Sequence, residues 1–148
     1  GIKPEIETLD SSFFDKVFTN YATIAEESEK GFTAQNQVGS SIKTDKTLMK
    51  QLMTILFDNA IKYTEDDGQV TLTVRTNDRH LYITVADNGP GIADEDKKKI
   101  FDRFYRVDKD RTRQKGGFGV GLSLAQQIVL ALKGTIIVKD NQPKGDYF

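Results

Sequence analysis

Two glycine-rich segments carry the residue types with the clearest chemical potential in this chain. Asp87 ends an apolar run, and Gly89 and Gly91 follow it at alternate positions. A second segment, 116–122, contains four glycines and leads into an apolar helical pattern. Glycines at this density let the backbone approach a ligand and expose its N–H groups, and N–H groups ahead of a helix form an anion site. These residues therefore predict a nucleotide site, with a carboxylate for the base and backbone amides for the phosphates.

Three polar side chains on one predicted helix could complete such a site. The helix runs from Lys46 to Tyr63 and is capped by Asp45. Apolar residues cover most of its circumference, so its polar residues need partners. Asn59, Lys62 and Tyr63 fall at i, i+3 and i+4 and share one face. An amide oxygen, an ammonium and a phenol suit a metal–phosphate group beside an aromatic base, but local backbone or water could equally satisfy the amide and the lysine.

The composition indicates one globular domain, residues 1–148. Hydrophobic residues make up 37% and charged residues 29%, as in ordinary globular proteins. The net charge of −1 gives no argument for nucleic acid or an anionic membrane, and no nucleic-acid partner is expected. The absence of cysteine excludes disulfides and thiolate metal sites. No signal peptide or membrane-length apolar run is visible. Since the chain starts at Gly1 rather than Met, we expect a fragment of a longer protein.

Hydrophobic periodicity predicts the elements of the first third of the chain. Weak alternation predicts a short edge strand in 1–8, and a helix follows, capped by a residue of 10–12 and closed by Gly31. The aromatic stripe of this helix predicts a core face rather than a groove for a partner. Segments 32–38 and 41–44 are predicted to pair as a hairpin.

The last two thirds alternate strands and helices. Segments 70–75 and 81–87 predict a second hairpin, covered on one face. A helix is predicted from Gly121 to Lys133, followed by strands in 135–140 and 146–148. These elements place Asp87 at a strand end and the second glycine segment at a helix start.

Between the two glycine segments lies a stretch with few apolar residues. Residues 100–104 predict a short apolar helix face, and the charged run 108–115 follows. Its position between two glycine segments predicts a mobile lid over the ligand.

Four motifs, in this order, resemble those of sensor histidine kinases. Residues 58–64 (DNAIKYT) resemble the N box, and 87–92 (DNGPGI) resemble the first glycine box. Residues 100–107 resemble the F box, and 116–122 resemble the second glycine box. Each motif is weak alone, but the order and the gaps make the set specific. The resemblance covers residues 45–148, and the N-terminal third is compatible with the same domain.

The resemblance implies the catalytic ATP-binding domain of a two-component sensor histidine kinase, similar to the ATPase domains of gyrase B, MutL and a heat-shock chaperone. The implied fold is an α+β two-layer sandwich of the Bergerat type, with a mixed, largely antiparallel sheet, helices on one face and an ATP lid. The implied cofactors are ATP and Mg²⁺. The γ-phosphoryl goes to a histidine on a separate helical dimerisation domain, absent here, and then to an aspartate of a response regulator. We expect this fragment to be monomeric, and to be the cytoplasmic domain of a membrane-anchored bacterial kinase.

The resemblance also assigns roles to individual residues. Asn59 ligates Mg²⁺ and Lys62 reaches a phosphate, which makes them the predicted catalytic residues. Asp87 accepts a hydrogen bond from the exocyclic amine of adenine, and guanine offers a carbonyl there instead. Arg106 contacts phosphate from the lid. The other predicted nucleotide contacts are Tyr63 beside the adenine or ribose, Gly89, Gly91 and Ile92 around the adenine, and Gly117, Gly119, Val120, Gly121 and Leu122 around the phosphates.

Three positions depart from the family pattern. Ile55 stands one turn before Asn59, where the family commonly has a second asparagine, so more of the Mg²⁺ shell is expected from water or phosphate. Phe118 replaces a small hydroxyl residue in the second glycine box, which predicts a reshaped lid. Val120 replaces a leucine, which is a mild change.

These departures keep other functions open. Gyrase-type ATP hydrolases have a water-activating glutamate at the place of Ile55, and Asp58 lies about 100° from Asn59 around the helix, so efficient hydrolysis is not expected. A degenerate nucleotide-sensing module, disabled by Ile55 and Phe118, would bind ATP without transfer. A related serine kinase would form an acid-stable phosphate on a small partner protein. His80, at a hairpin turn, is interpreted as exposed and not as a phosphoacceptor.

Overall fold

The computed structural model describes residues 1–102, 119–140 and 146–148. Its elements, in chain order, are β1 (Glu7–Leu9), α1 (Ser11–Glu27), β2 (Gly31–Gln37), β3 (Ile42–Thr44), α2 (Lys46–Tyr63), β4 (Gln69–Asn77), β5 (His80–Asp87), α3 (Asp94–Lys97), α4 (Gly119–Ala131), β6 (Lys139–Asp140) and β7 (Asp146–Tyr147). Within these described residues, no helix is long and apolar enough to cross a membrane.

Five strands form a mixed sheet in the order β2-β4-β5-β7-β6. β2 runs parallel to β4, and the other neighbouring pairs are antiparallel. β1 and β3 form a separate antiparallel pair. The predicted hairpin of β4 and β5 is confirmed, and the mixed, largely antiparallel sheet is the one that the family resemblance implied.

The helices cover one face of this sheet. Val70, Leu72 and Val74 point to that face of β4 and are fully buried. Phe32 on β2 lies beside Val70 in register, and its ring contacts rings of both α1 and α2. The predicted two-layer arrangement of helices on a sheet is therefore confirmed for the described residues.

Both long helices begin at the predicted caps. The Asp10 carboxylate accepts a hydrogen bond from the Ser12 amide at 3.0 Å, and Asp45 accepts one from the Leu48 amide at 2.9 Å. Such side chains satisfy amides that have no partner within the helix. α2 lies in the middle of the helical layer, and its sequence buries seven residues: Met49, Leu52, Met53, Leu56, Phe57, Ala60 and Tyr63.

The predicted hairpin of 32–38 with 41–44 is wrong. Both segments are extended, but β2 pairs with β4 and β3 pairs with β1. A parallel pair needs a long crossover connection, and α2 lies in the connection between β2 and β4. The predicted edge strand in 1–8 is displaced, since the ladder with β3 involves only Glu7–Leu9.

Three further boundaries differ from the sequence prediction. Ile100 is fully buried but follows the short α3 in a turn rather than in a helix. α4 begins at Gly119, two residues before the predicted start. It ends at Ala131, because Lys133 adopts a φ of 63° and the Gly134 amide donates to the Val129 carbonyl. In the predicted strand 135–140, only Lys139–Asp140 are paired in the described structure. Residues 103–118, which include most of the predicted lid with Arg106, and Gly117 and Phe118, lie outside the described residues.

Candidate nucleotide-binding site

Asp87 is placed by the register of the sheet. It lies opposite Val70 at the end of β5, on the face that the helices cover, and only 3% of it is exposed. One of its carboxylate oxygens accepts a hydrogen bond from the Gly89 amide at 2.9 Å. This local turn fixes the carboxylate where the strand leaves the sheet. A buried carboxylate held by an amide is a rigid acceptor for a ligand donor.

The glycines after Asp87 are required by their surroundings. A Cβ atom on Gly89 would overlap the carbonyl oxygen of Tyr63, at the end of α2. Gly91 has a φ of 85°, in the region that favours glycine. The glycines thus allow the backbone after β5 to lie directly against the end of α2. Ile92, which was predicted to border the base, is 4% exposed and belongs to the core.

The three polar residues predicted on one face of α2 lie in different environments. Lys62 is exposed and Asn59 is half-buried, but Tyr63 is 2% exposed and packs in the core. The burial of its ring leaves Tyr63 little surface to offer a nucleotide, which does not support its predicted contact with the adenine or ribose. Its carbonyl group contributes to the site by contacting Gly89. Asn59 and Lys62 remain available on the outer side of the helix.

The second glycine segment enters the described structure at the start of α4. A Cβ atom on Gly121 would lie 3.7 Å from the Cγ2 atom of Ile55 on α2. Leu122, which was predicted near the phosphates, is 1% exposed, so its side chain packs in the core. The backbones of Gly119 and Val120 form the first turn of α4. Predicted amide donors therefore lie at the N-terminal end of a thirteen-residue helix.

These contacts bring both glycine segments to one helix, on either side of Asn59. Ile55 faces Gly121 one turn before Asn59, with room between them for about a methyl group, and the Tyr63 carbonyl lies against Gly89 one turn after it. Two turns of helix span roughly 12 Å. A ligand that touches both segments must therefore extend along α2 past Asn59, with a buried carboxylate at one end and a helix N-terminus at the other.

α2 carries one carboxyl and one ammonium group close to Asn59 in sequence, those of Asp58 and Lys62. Partial burial raises the pKa of Asp58, and the nearby Lys62 acts in the opposite direction. The described residues contain no group of three or more histidine, cysteine, aspartate or glutamate side chains able to hold a metal. The half-buried amide of Asn59 fits Mg²⁺, which keeps several waters and is bound through few protein oxygens together with phosphates.

Sequence reasoning missed two residues that shape this site. The Asn88 side chain accepts a hydrogen bond from the Gln69 amide at 2.9 Å, which ties the segment after β5 to the start of β4. Gly68 lies against both Asn88 and the methyl group of Thr64. Asn88 is inside the motif that resembles the first glycine box, but only the pairing of β4 with β5 brings it beside Gly68.

Residues 44–148 match the family described as histidine kinase-, DNA gyrase B-, and HSP90-like ATPase. The chain belongs to this family. It is 63% identical over 148 residues to the sensor protein CiaH of Streptococcus pneumoniae, and the match covers all of this chain and 33% of CiaH. The chain thus spans about a third of the length of this curated relative.

Solved structures of histidine kinases have the same fold. The catalytic domain of histidine kinase ThkA, in a nucleotide-free form, superposes with a TM-score of 0.80 at 23% identity, over 97% of this chain and 94% of that one. Full-length ShkA in complex with AMPPNP superposes with a TM-score of 0.82 at 26% identity, over 99% of this chain and 30% of that one.

Proposed function

We propose that this domain binds Mg²⁺-ATP and donates the γ-phosphoryl group to a histidine on a separate helical dimerisation domain. The observation that carries the proposal is the position of Asn59 between the two glycine segments. Gly121 faces Ile55 one turn before Asn59, and Gly89 lies against the Tyr63 carbonyl one turn after it. The family membership and the similarity to CiaH support the same assignment. ShkA, which shares the fold, forms a complex with AMPPNP, a nucleotide analogue of the proposed ligand class.

Each part of the site has a role in this proposal. Asp87 accepts a hydrogen bond from the exocyclic amine of adenine, and it selects against guanine, which offers a carbonyl at that place. Lys62 and the amides at the start of α4 stabilise the phosphates, because cationic and N–H donors offset their negative charge. Mg²⁺, held by Asn59 and by the phosphates, supplies further charge neutralisation when bound. The contribution of the protein to phosphoryl transfer is then mostly positioning and electrostatics.

The wider protein is proposed to be a membrane-anchored bacterial sensor kinase, with this domain on its cytoplasmic side. The chain covers a third of CiaH, which leaves room in such a protein for a sensor and a phosphoacceptor domain. The phosphoryl group would pass on to an aspartate of a response regulator. The isolated domain is proposed to be a monomer.

Ile55 argues against a hydrolase of the gyrase type. It stands where those relatives place the glutamate that activates water, and its side chain packs toward the core and toward Gly121. An apolar side chain cannot act as a general base. Asp58 lies about 100° from Asn59 around α2. We therefore expect slow ATP hydrolysis by the isolated chain.

Calorimetric titration of ATP into the purified chain and into the variant Asp87→Asn tests the nucleotide site. The asparagine oxygen can still accept the hydrogen bond from the Gly89 amide, so the turn should persist. The oxygen that would accept from the adenine amine is replaced by an NH₂ group, which is itself a donor. A hydrogen bond to a charged group contributes about 1.5–3 kcal/mol. We expect the variant to bind ATP roughly 10- to 100-fold more weakly, and the wild-type chain to bind GTP far more weakly than ATP.

Asp78→Asn is the matched control. Asp78 lies in the turn between β4 and β5 with a φ of 56°, a conformation that asparagine adopts readily. It is at the opposite end of β5 from Asp87, roughly 25 Å away. This variant makes the same chemical change and should bind ATP like the wild type. Equal ATP affinity of Asp87→Asn and Asp78→Asn would show that Asp87 does not contact the base.

A further inference from the structure

Lys30 bonds to the end of α2 from outside that helix. Its ammonium group donates to the carbonyl oxygen of Thr64 at 2.6 Å and also to that of Ile61. The last four carbonyls of a helix have no partner within it and carry partial negative charge. With one cation, Lys30 therefore satisfies the Ile61 carbonyl in the last turn of α2 and the carbonyl of Thr64, the C-cap residue that follows it, across 31 and 34 residues of sequence.

The backbone of Lys30 is fixed by the end of α1. Glu29 has a φ of 58°, its amide bonds to the Glu26 carbonyl, and the Lys30 amide bonds to the Ala25 carbonyl. This is the Schellman pattern of helix termination. The lysine stem is therefore anchored at its base as well as at its ammonium group. The Lys30 side chain thus joins the end of α1 to the end of α2.

The residue after Lys30 makes a second connection to the same region. The Gly31 amide donates to the Gly68 carbonyl at 2.9 Å, and Gly68 lies against Asn88 beside Asp87. The carbonyl group that contacts Gly89 belongs to Tyr63, between the two carbonyl groups that Lys30 binds. The pair Lys30–Gly31 thus holds both surfaces against which the Asp87–Gly91 segment packs.

We propose that Lys30 is a positioning residue for the nucleotide site. It fixes the last turn of α2, and through the Tyr63 carbonyl it sets the place of Gly89 and of the Asp87 carboxylate that the Gly89 amide holds. The inference rests on the proposed nucleotide function, because it assigns to Lys30 a share of that affinity. Lys30 lies behind the end of the helix and does not itself touch the ligand.

The variants Lys30→Met and Lys30→Arg test this role. Methionine keeps an unbranched apolar stem and removes the cation, whereas arginine keeps a donor cation. Lys43→Met, at an exposed lysine on β3, is the control for loss of one charge. We measure the dissociation constants of ATP and ADP by calorimetry at a temperature where circular dichroism shows each variant folded, together with the urea midpoint of each.

We expect Lys30→Met to weaken ATP and ADP binding by the same factor, roughly 3- to 10-fold, since the Asp87–Gly91 segment is proposed to hold the base that both nucleotides share. Lys30→Arg should recover most of that affinity, and Lys43→Met should bind like the wild type. If Lys30→Met does not fold, Lys30→Gln, which keeps a donor at shorter reach, should weaken ATP and ADP binding equally but by less, roughly two- to threefold. A lower urea midpoint with unchanged nucleotide affinity would overturn the inference alone. A wild-type chain that does not bind ATP would overturn the proposed function and the inference with it.

Discussion

Thr64, beside the candidate site, has a buried hydroxyl group without a hydrogen-bond partner among the described residues. The residue is fully buried at the end of α2. Its methyl group packs against Gly68, and its carbonyl accepts from Lys30. A buried hydroxyl without a partner costs about 1–3 kcal/mol. The methyl group therefore contributes to stability at this position, and the hydroxyl opposes it.

The variants Thr64→Val and Thr64→Ser separate these two groups. Valine keeps the β-branched shape in an extended backbone conformation, so we expect Thr64→Val to raise the free energy of unfolding by about 1 kcal/mol. Thr64→Ser removes the methyl group and should lower it by about 1 kcal/mol. Urea denaturation measures both. A valine variant less stable than the wild type would contradict a hydroxyl group without a hydrogen-bond partner.

At the residue scale, sequence reasoning located side chains better than it described their surroundings. Asp87 follows an alternating strand, so its end position and inward direction could be predicted from periodicity. The burial of Tyr63 could not be predicted in this way. Spacing of i, i+3 and i+4 places residues on one face of a helix, but it does not show which part of that face is covered by the core. The contact of Lys30 with α2 leaves no sequence signal, since it joins residues 31 and 34 positions apart.

At the element scale, α2 organises the described part of the site, because Gly89 lies against its end and Gly121 faces Ile55 in its middle. Its start is held by Asp45, whose carboxylate accepts from the amides of Leu48 at 2.9 Å and Glu5 at 2.7 Å. The carboxylate thus caps the helix and ties the segment before β1 to it. These two amides, with Leu48 the larger influence, hold the pKa of Asp45 below its ordinary value.

This lowered pKa predicts a pH-dependent contribution of Asp45 to stability. The contribution is fully present above the ordinary carboxyl pKa of about 3.9 and is lost as the pH falls through the lower pKa of the folded state. We expect Asp45→Ala to lower the urea midpoint near neutral pH, and the difference from the wild type to shrink below about pH 4. Urea denaturation over a series of pH values measures this change.

Asp45→Asn is the control for charge, because asparagine also caps helices. It should lose less stability than the alanine variant near neutral pH, and it should show a flatter pH dependence than the wild type. A deficit of Asp45→Ala that is the same in acid as at neutral pH would contradict a role for the ionised carboxylate.

The elements themselves were more predictable than their pairing. The bounds of α2 follow directly from its cap and its apolar pattern, and the β4–β5 hairpin follows from two alternating runs around a short turn. The partner of β2 does not follow from local alternation, which is the same for parallel and antiparallel strands. A signal existed in the long helix between β2 and β4, since a helical connection favours a parallel pair.

At the scale of the whole molecule, the chain holds one histidine, His80. It is the first residue of β5 and is exposed at the far end of that strand from Asp87, roughly 25 Å along the sheet. A nucleotide bound beside Asp87 and extending along α2 does not approach it. The geometry therefore predicts that the phosphoacceptor comes from outside this chain, as the proposed function requires.

Radiolabelled transfer from γ-labelled ATP tests this prediction directly. We expect the chain alone, and the variant His80→Gln, to retain no label. Addition of the separately prepared helical domain of the full-length protein should give label on that domain, stable in alkali and lost in acid, as phosphohistidine is. The Asp87→Asn variant should transfer roughly 10- to 100-fold more slowly at low ATP, in line with its weaker binding, and Asp78→Asn should transfer like the wild type.

Each alternative function gives a different result in the same assay. Rapid release of labelled phosphate by the chain alone would indicate a hydrolase and would contradict the role assigned to Ile55. An acid-stable label on an added protein would indicate a serine kinase. Binding of ATP with no label on the helical domain would indicate a nucleotide-sensing module without transfer. Because all four outcomes start from the same bound nucleotide, the position of the acceptor and the chemistry at Ile55, rather than nucleotide affinity, decide between them.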